Sequence, residues 1–181
     1  MLKSKLRKKI LKIREKENKD NIQINFNQII KILKKEKITK KIIGGYYPVN
    51  FEISDLELLK QLKKKNFNIS LPVVKIKFQM DFYRWSFSEL LKINKYGIPE
   101  PETQHIVYPD ILLVPIVAFD KNLNRLGYGG GYYDRLITRL SKKKKIIKIG
   151  LAMSVQEVDK VPINMYDQKL DYIVTNKYLV K

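Results

Sequence analysis

Four glycines within five residues, Gly127, Gly129, Gly130 and Gly131, mark the segment that most restricts how this chain can fold. They belong to Arg125-Leu126-Gly127-Tyr128-Gly129-Gly130-Gly131-Tyr132-Tyr133-Asp134-Arg135. The run stands between the nearly all-apolar stretch Ile111 to Phe119 and a helical pattern from about Tyr132 to Ser141. Glycine accepts positive φ and lets a ligand come close to the backbone. A glycine loop that opens into a helix presents free N–H groups and the positive end of the helix dipole, which suits a phosphate. The pattern therefore points to a nucleotide and to an enzyme. It lacks the Gly-Lys-Ser/Thr of a Walker A loop, and its glycine spacing is not that of a dinucleotide fingerprint.

The order of elements supports a layered α/β fold. Leu2, Leu6, Ile10 and Ile13 recur at helical spacing, so the first helix runs from Leu2 to about Glu17, with Lys3, Arg7 and Arg14 on another face. A second helix is expected from about Phe26 to Lys37. Ile42 to Tyr47 reads as a strand ending at Pro48. Ser54-Asp55-Leu56-Glu57 fits a capping box opening a helix to about Lys65. Ile69 to Val74 and Ile76 to Phe82 read as strands, and Ser86 to Glu89 as a second capping box before a short helix. Two prolines and a glycine exclude regular structure from Tyr96 to Pro101. Ile111 to Phe119 is apolar enough to be buried on both faces, as in a parallel sheet. Ile146 to Met153 and Tyr172 to Thr175 are the last strands expected. Strands alternating with helices imply an α/β domain with a mostly parallel sheet.

Composition removes whole classes of chemistry. The 181 residues are compatible with one domain. With no cysteine, disulfides, thiolate zinc sites and cysteine nucleophiles are excluded. No apolar run is long enough to span a membrane, and the basic N-terminus lacks a signal core, so a cytoplasmic location is expected. The formal net charge of +19 raises the question of nucleic acid. The lysines are scattered, in short clusters such as Lys63 to Lys65 and Lys142 to Lys145. Compositional bias with generic attraction to anions accounts for them, and no nucleic-acid partner is expected.

Several polar residues admit two roles. Asp134 can cap its helix or bind Mg²⁺ beside a triphosphate; Asp167, before the last strand, can be a turn residue or a second carboxylate. Lys3, Arg7 and Arg14 can be solvated charges or a phosphate clamp. Glu52 can offset a helix dipole or accept hydrogen bonds from a nitrogen-rich ring. Trp85 with Phe82, Tyr83 and Phe87 can wall a flat ligand or pack the core. His105 has no triad partner and reads as a surface residue.

These motifs, in this order, resemble the 5-formyltetrahydrofolate cyclo-ligase family, also called methenyltetrahydrofolate synthetase. The similarity runs through Lys3 to Arg7, Tyr47-Pro48 with Glu52, Leu71 to Val74, Tyr96-Gly97-Ile98 with Glu100-Pro101, and Ile149 to Ala152, then Gln156, Pro162, Asp167, Asp171 and Thr175. It is sharpest from Pro115 to Arg135. The resemblance implies a single-domain, three-layer α-β-α fold of Rossmann-like type. It implies ATP as co-substrate and Mg²⁺ as cofactor. The formyl oxygen of 5-formyltetrahydrofolate would attack the γ-phosphate, and N10 would then close onto the activated carbon. Lys3, Ser4, Lys5, Leu6 and Arg7, with Gly127, Tyr128, Gly129, Gly130, Gly131, Tyr132 and Tyr133, would bind ATP. Tyr47, Glu52, Gly130, Gly131, Tyr132 and Tyr133 would bind folate. Asp134 and Asp167 would hold the metal, and Arg125, Tyr132 and Asp134 would be catalytic. A monomer acting on these two small molecules, with no membrane partner, is expected. Many relatives carry a glycine near Leu123; here Asn122 or Asn124 is expected to take the left-handed conformation instead.

Overall fold

The computed structural model describes residues 2–17, 22–38, 41–103 and 105–181. In chain order the elements are α1 (Lys3–Glu17), α2 (Phe26–Lys35), β1 (Ile42–Gly44), α3 (Leu56–Lys64), β2 (Asn68–Val74), β3 (Met80–Trp85), β4 (Leu91–Ile93), β5 (Pro99–Pro101) and β6 (Ile106–Val107). There follow β7 (Ile111–Pro115), β8 (Ala118–Phe119), β9 (Arg125–Leu126), α4 (Tyr132–Ser141), β10 (Ile147–Ala152), a 3₁₀ turn (Ser154–Gln156), β11 (Tyr172–Thr175) and β12 (Leu179–Val180).

Eight strands form one sheet in the order β12-β11-β10-β7-β1-β2-β3-β6. The central pairs β2-β1, β1-β7, β7-β10 and β10-β11 are parallel, and the outer strands add antiparallel edges. The alternation of side chains on a strand assigns the two layers of the core. On β7, Ile111 and Leu113 pack with Ile29, Ile32, Leu59 and Leu62 of α2 and α3. Leu112 and Val114 pack on the opposite face with Leu136, Ile137 and Leu140 of α4. All four strand residues are inaccessible to solvent, as expected for a strand covered on both sides. The result is the expected three-layer α-β-α arrangement.

The connections place the site. From β1 the chain crosses through α3 to β2 on one side, and from β7 through α4 to β10 on the other. Crossovers of one hand running in opposite directions put their helices on opposite faces. The strand order therefore reverses between β1 and β7, and the loops leaving their carboxyl ends diverge there, opening a crevice.

Several local expectations give way to tertiary structure. The N-cap of α3 is Asp55 and not Ser54, although the Ser54 Oγ accepts the Leu56 N–H at 3.3 Å; Asp55 makes no side-chain cap bond, its carboxylate instead accepting the Tyr46 N–H at 2.9 Å. No helix follows Ser86 to Glu89: Glu89 bonds back to the Ser86 N–H, but the Trp85 indole N–H donates to the Glu89 carbonyl, and the segment closes as a turn before β4. Pro99 to Pro101 is a strand, β5, because it is a short edge in which proline's missing N–H costs no ladder bond. Ile76 to Phe82 is not one strand; Lys77 and Phe78 have positive φ in a tight turn, and β3 starts at Met80. Strand pairing stops at Gly44 rather than Tyr47, and the apolar run after Ile111 splits at Ile116 into β7 and β8. The short strands β4, β6, β9 and β12 have no counterpart in the sequence reading.

The left-handed residue of the turn before the glycine loop is Leu123, at φ 64°, and not Asn122 or Asn124. A leucine there costs about 1–2 kcal/mol. The buried Asp120 offsets it by accepting from the N–H groups of Asn122, Asn124 and Val161 and from the Asn124 amide. Each such bond contributes about 1 kcal/mol.

Candidate functional site

A cleft of about 1190 Å³ opens at the strand-order reversal, lined by residues that follow β1, β2 and β7 and by the start of α1. Its volume exceeds what one drug-sized ligand fills, so two ligands can share it.

One wall is cationic and glycine-rich. Leu6 and Ile10 of α1 bury against Val117, Ala118, Leu126 and Val161. That seat turns Lys3 and Arg7 toward the cleft, because residues 3 and 7 lie one helical turn apart. The Arg7 Nε donates to the Gly127 carbonyl at 2.8 Å, and its guanidinium lies over Gly129. Gly131 caps α4 at φ 66°, ψ 16°, a conformation that glycine adopts without strain. Arg125 binds Asp134 at 2.8 Å and also donates to the Gln168 carbonyl; the Gln168 N–H donates to the same Asp134 oxygen at 2.9 Å. Lys3 pairs with Asp167 at 2.5 Å. Asp134 and Asp167, separated by 33 positions in sequence, thus come to the same corner of the cleft. Ser4 and Lys5 are exposed and Leu6 is core, so none of the three lines the cleft.

The opposite wall is dry. Tyr46, Tyr47 and Glu52 follow β1. Gly45 lets the chain bend tightly here: a Cβ would fall 2.7 Å from the Asp55 carboxylate and 2.5 Å from Leu59. The Glu52 Oε2 accepts the Val49 N–H at 2.9 Å, while its Oε1 is cut off from solvent without a hydrogen-bond partner among the described residues. Burial pushes the Glu52 carboxyl from its ordinary 4.5 up to about 7, against the lowering effect of the Val49 bond and of Arg14. Burial likewise raises Asp55 well above the carboxylate range and Tyr46 and Tyr133 well above the usual phenol. The Tyr133 hydroxyl and the Asp55 Oδ1 are also enclosed without partners among the described residues. Enclosed polar atoms of this kind cost free energy until a ligand group satisfies them.

Across the mouth, Tyr96 and Tyr132 share a hydroxyl hydrogen bond at 2.8 Å. Arg135 lies over both Phe78 and Tyr132, each ring centroid 5.7 Å away, and donates to the Phe78 carbonyl.

The remaining sequence expectations divide cleanly. Tyr47, Glu52, Arg125, Gly127 to Tyr133, Asp134 and Asp167 all line the cleft. Arg14 does not join Lys3 and Arg7 there; it is fully buried, bonded to the carbonyls of Ile116 and Asn50 and to the Tyr128 hydroxyl. Trp85 and Phe82 belong to the core, so no aromatic wall forms from that cluster, and His105 is exposed. Tyr46, Phe78 and Arg135 also line the cleft and are not singled out by the sequence reading, while Asp55 lies buried behind Tyr46 and does not line it. Only Arg135 carried a sequence signal, as the end of the glycine-loop run.

Among the described residues no three His, Asp or Glu side chains gather as a metal cage. A magnesium ion needs only one or two carboxylates when phosphate oxygens complete its shell. No described residue donates to Asp134 Oδ2 or Asp167 Oδ1, so each carboxylate keeps one oxygen available. The donor set fits such an ion.

A doubly wound α/β sheet with an anion-suited glycine loop at its switch point defines a Rossmann-like enzyme. The sequence assigns the family: a family model of the 5-formyltetrahydrofolate cyclo-ligase family matches residues 1–176, and the chain belongs to that family. The 5-formyltetrahydrofolate cyclo-ligase of Haemophilus influenzae is 38% identical over 142 residues, covering 75% of each chain. That of Mycoplasma genitalium is 30% identical, covering 96% of this chain and 98% of its own. The NMR structure of Aquifex aeolicus 5,10-methenyltetrahydrofolate synthetase superposes with a TM-score of 0.76 at 33% identity, covering 99% of this chain and 92% of that one. No helix among the described residues is long and apolar enough to cross a membrane.

Proposed function

We propose that the protein converts 5-formyltetrahydrofolate to 5,10-methenyltetrahydrofolate with ATP, releasing ADP and phosphate through a phosphorylated formyl intermediate. The observation that carries this reading is the pairing of two unlike walls in one cleft. Phosphoryl transfer requires positioning and charge neutralisation more than a protein nucleophile. The cationic wall offers both: loop amides from Gly127 to Gly131, with Lys3, Arg7 and Arg125. The dry wall suits a reduced pterin, whose ring nitrogens can donate to the enclosed Glu52 oxygen and whose face can lie against Tyr47 and Tyr132.

In this reading the γ-phosphoryl group lies at the glycine loop, where the formyl oxygen attacks it in line. Holding both reactants in one cleft converts a bimolecular encounter into an intramolecular one. N10 then adds to the activated carbon and phosphate leaves. Asp134 and Asp167 would hold a magnesium ion, which neutralises charge on the phosphate oxygens when bound. Arg125 keeps the Asp134 carboxylate aimed at that corner, and Lys3 does the same for Asp167. Tyr132 stands at the meeting point of the walls, and water is excluded behind Tyr46, Glu52 and Tyr133. The single-domain organisation, monomeric state and cytoplasmic location read from the sequence are part of the same proposal.

The test is direct. Purified protein incubated with 5-formyltetrahydrofolate and Mg-ATP should develop the methenyl absorbance with stoichiometric ADP. ADP release without that absorbance would assign the protein a different acceptor.

A further inference from the structure

Arg14 is a fully buried cation, and no carboxylate among the described residues forms an ion pair with it. Its guanidinium spans three segments that are far apart in sequence. One N–H donates to the Ile116 carbonyl at 3.2 Å, just past the end of β7. Another nitrogen donates to the Asn50 carbonyl at 2.5 Å and to the Tyr128 hydroxyl, and the guanidinium carbon lies 5.6 Å from the centre of the Tyr128 ring. The third nitrogen, Nε, is buried without a partner among the described residues. Burying an arginine costs several kcal/mol before its partners compensate, and an apolar side chain of similar size would dock α1 without that cost. Anchoring the helix therefore does not account for this residue.

The segments it joins account for it better. Asn50 and Phe51 have φ of 49° and 61°, two successive left-handed non-glycine residues immediately before Glu52. Such residues persist only where surrounding structure holds them, and the bond to the Asn50 carbonyl is a hold of that kind. Tyr128 stands between Gly127, whose carbonyl Arg7 grips, and Gly129, at φ 104°. One guanidinium thus links the loop that carries Glu52 to the loop that faces the cations. Arg14 and Tyr128 both act to lower the pKa of Glu52, as expected where the three side chains meet, although Tyr128 is 40% exposed.

We propose that Arg14 is a positioning residue that couples the two halves of the cleft through Tyr128, so that a ligand ordering either loop prepares the other. The proposal rests on reading the cleft as a joint nucleotide and folate site. Two ligands that order a shared element bind cooperatively, and the coupling is reciprocal.

Calorimetry measures it. The Kd of 5-formyltetrahydrofolate is determined with and without saturating magnesium and the non-hydrolysable β,γ-imido analogue of ATP. In the wild-type protein the nucleotide should tighten folate binding about 5- to 150-fold, the usual range of such coupling. Tyr128→Phe removes only the bridging hydroxyl, and Arg14→Lys keeps the charge but loses the planar fork. Both should bring the factor close to one. If Arg14→Lys does not fold, Tyr128→Phe decides alone. A factor unchanged in Tyr128→Phe, even with a lowered Tm, makes Arg14 a scaffold residue and overturns the proposal. So does a wild-type factor of one. A Tyr128→Phe protein that no longer binds the nucleotide by itself makes the hydroxyl a direct contact, with the same consequence. Absence of heat with either ligand in the wild type would instead sink the functional reading, a separate result.

Discussion

The two walls of the cleft solve opposite electrostatic problems. On the glycine-loop wall the two described carboxylates are already paired: Asp134 with Arg125, whose side chain is only 5% exposed, and Asp167 with Lys3, both partly open to solvent. The partly exposed Lys3–Asp167 pair contributes little to stability, about 0–1 kcal/mol, whereas Asp134 compensates a buried guanidinium. On the other wall the carboxyls of Glu52 and Asp55 are withdrawn from water, keep unpartnered oxygens, and are pushed toward their neutral forms. The first wall thus carries paired charges near solvent, and the second carries enclosed carboxyls driven toward their neutral forms. The second depends on being dry.

Three substitutions would break or sharpen this contrast. The largest effect is expected from Asp134→Asn. If the carboxylate carries the metal, kcat should fall on the order of 10²-fold or more, since the charge stabilisation supplied there is worth several kcal/mol. Thermal stability should fall as well, because the Arg125 side chain is only 5% exposed and loses its counter-charge, while an asparagine oxygen can still accept from it and from the Gln168 N–H. Full turnover in that variant would reduce Asp134 to a partner for Arg125 and a charge near the helix end.

Gly131→Ala comes next. At φ 66° an alanine costs about 1–2 kcal/mol, measurable by denaturant unfolding. Its Cβ would also fall 2.8 Å from an Arg135 nitrogen, displacing that flexible side chain from the loop. Unaltered stability would mean that the loop relaxes freely and is not preorganised.

The smallest effect concerns pH. Glu52 ionises near 4.5 in the unfolded chain and near 7 in the folded one. Between those values the native state binds more protons, so stability is complete below about 4.5 and declines as pH rises through about 7. Asp55, raised in the same direction, adds to the decline. Glu52→Gln should flatten the Tm profile in that window without abolishing its slope. Superimposable profiles would show that Glu52 is better solvated than its surroundings indicate.

How much of this was legible beforehand differs between the walls in the same way. The glycine loop, α4 after it and the carboxylate at its start were readable because the causes are local: conformational freedom, periodicity and an acidic residue in the first turn. Ile111 to Val114 announced a strand covered on both sides because every position is apolar. Asp55 was read only as part of a capping box, since nothing within four residues reveals that Tyr46 competes for its oxygens. The same blindness applied to Leu123, whose strain Asp120 offsets through Val161, and to Pro99 to Pro101, which becomes a strand only because β4 lies beside it.

The amino-acid order by itself determined the α/β class, the sites of the main helices and central strands, the family and the anion-suited loop, because each follows from short-range pattern or from motifs in series. Tertiary structure alone decided that the sheet reverses direction between β1 and β7, that Asp134 and Asp167 meet, and that Arg14 turns inward while Lys3 and Arg7 face the cleft. Periodicity gives the angle of a residue on its helix. What that angle faces depends on which surface the helix packs against, and that is a property of the whole chain.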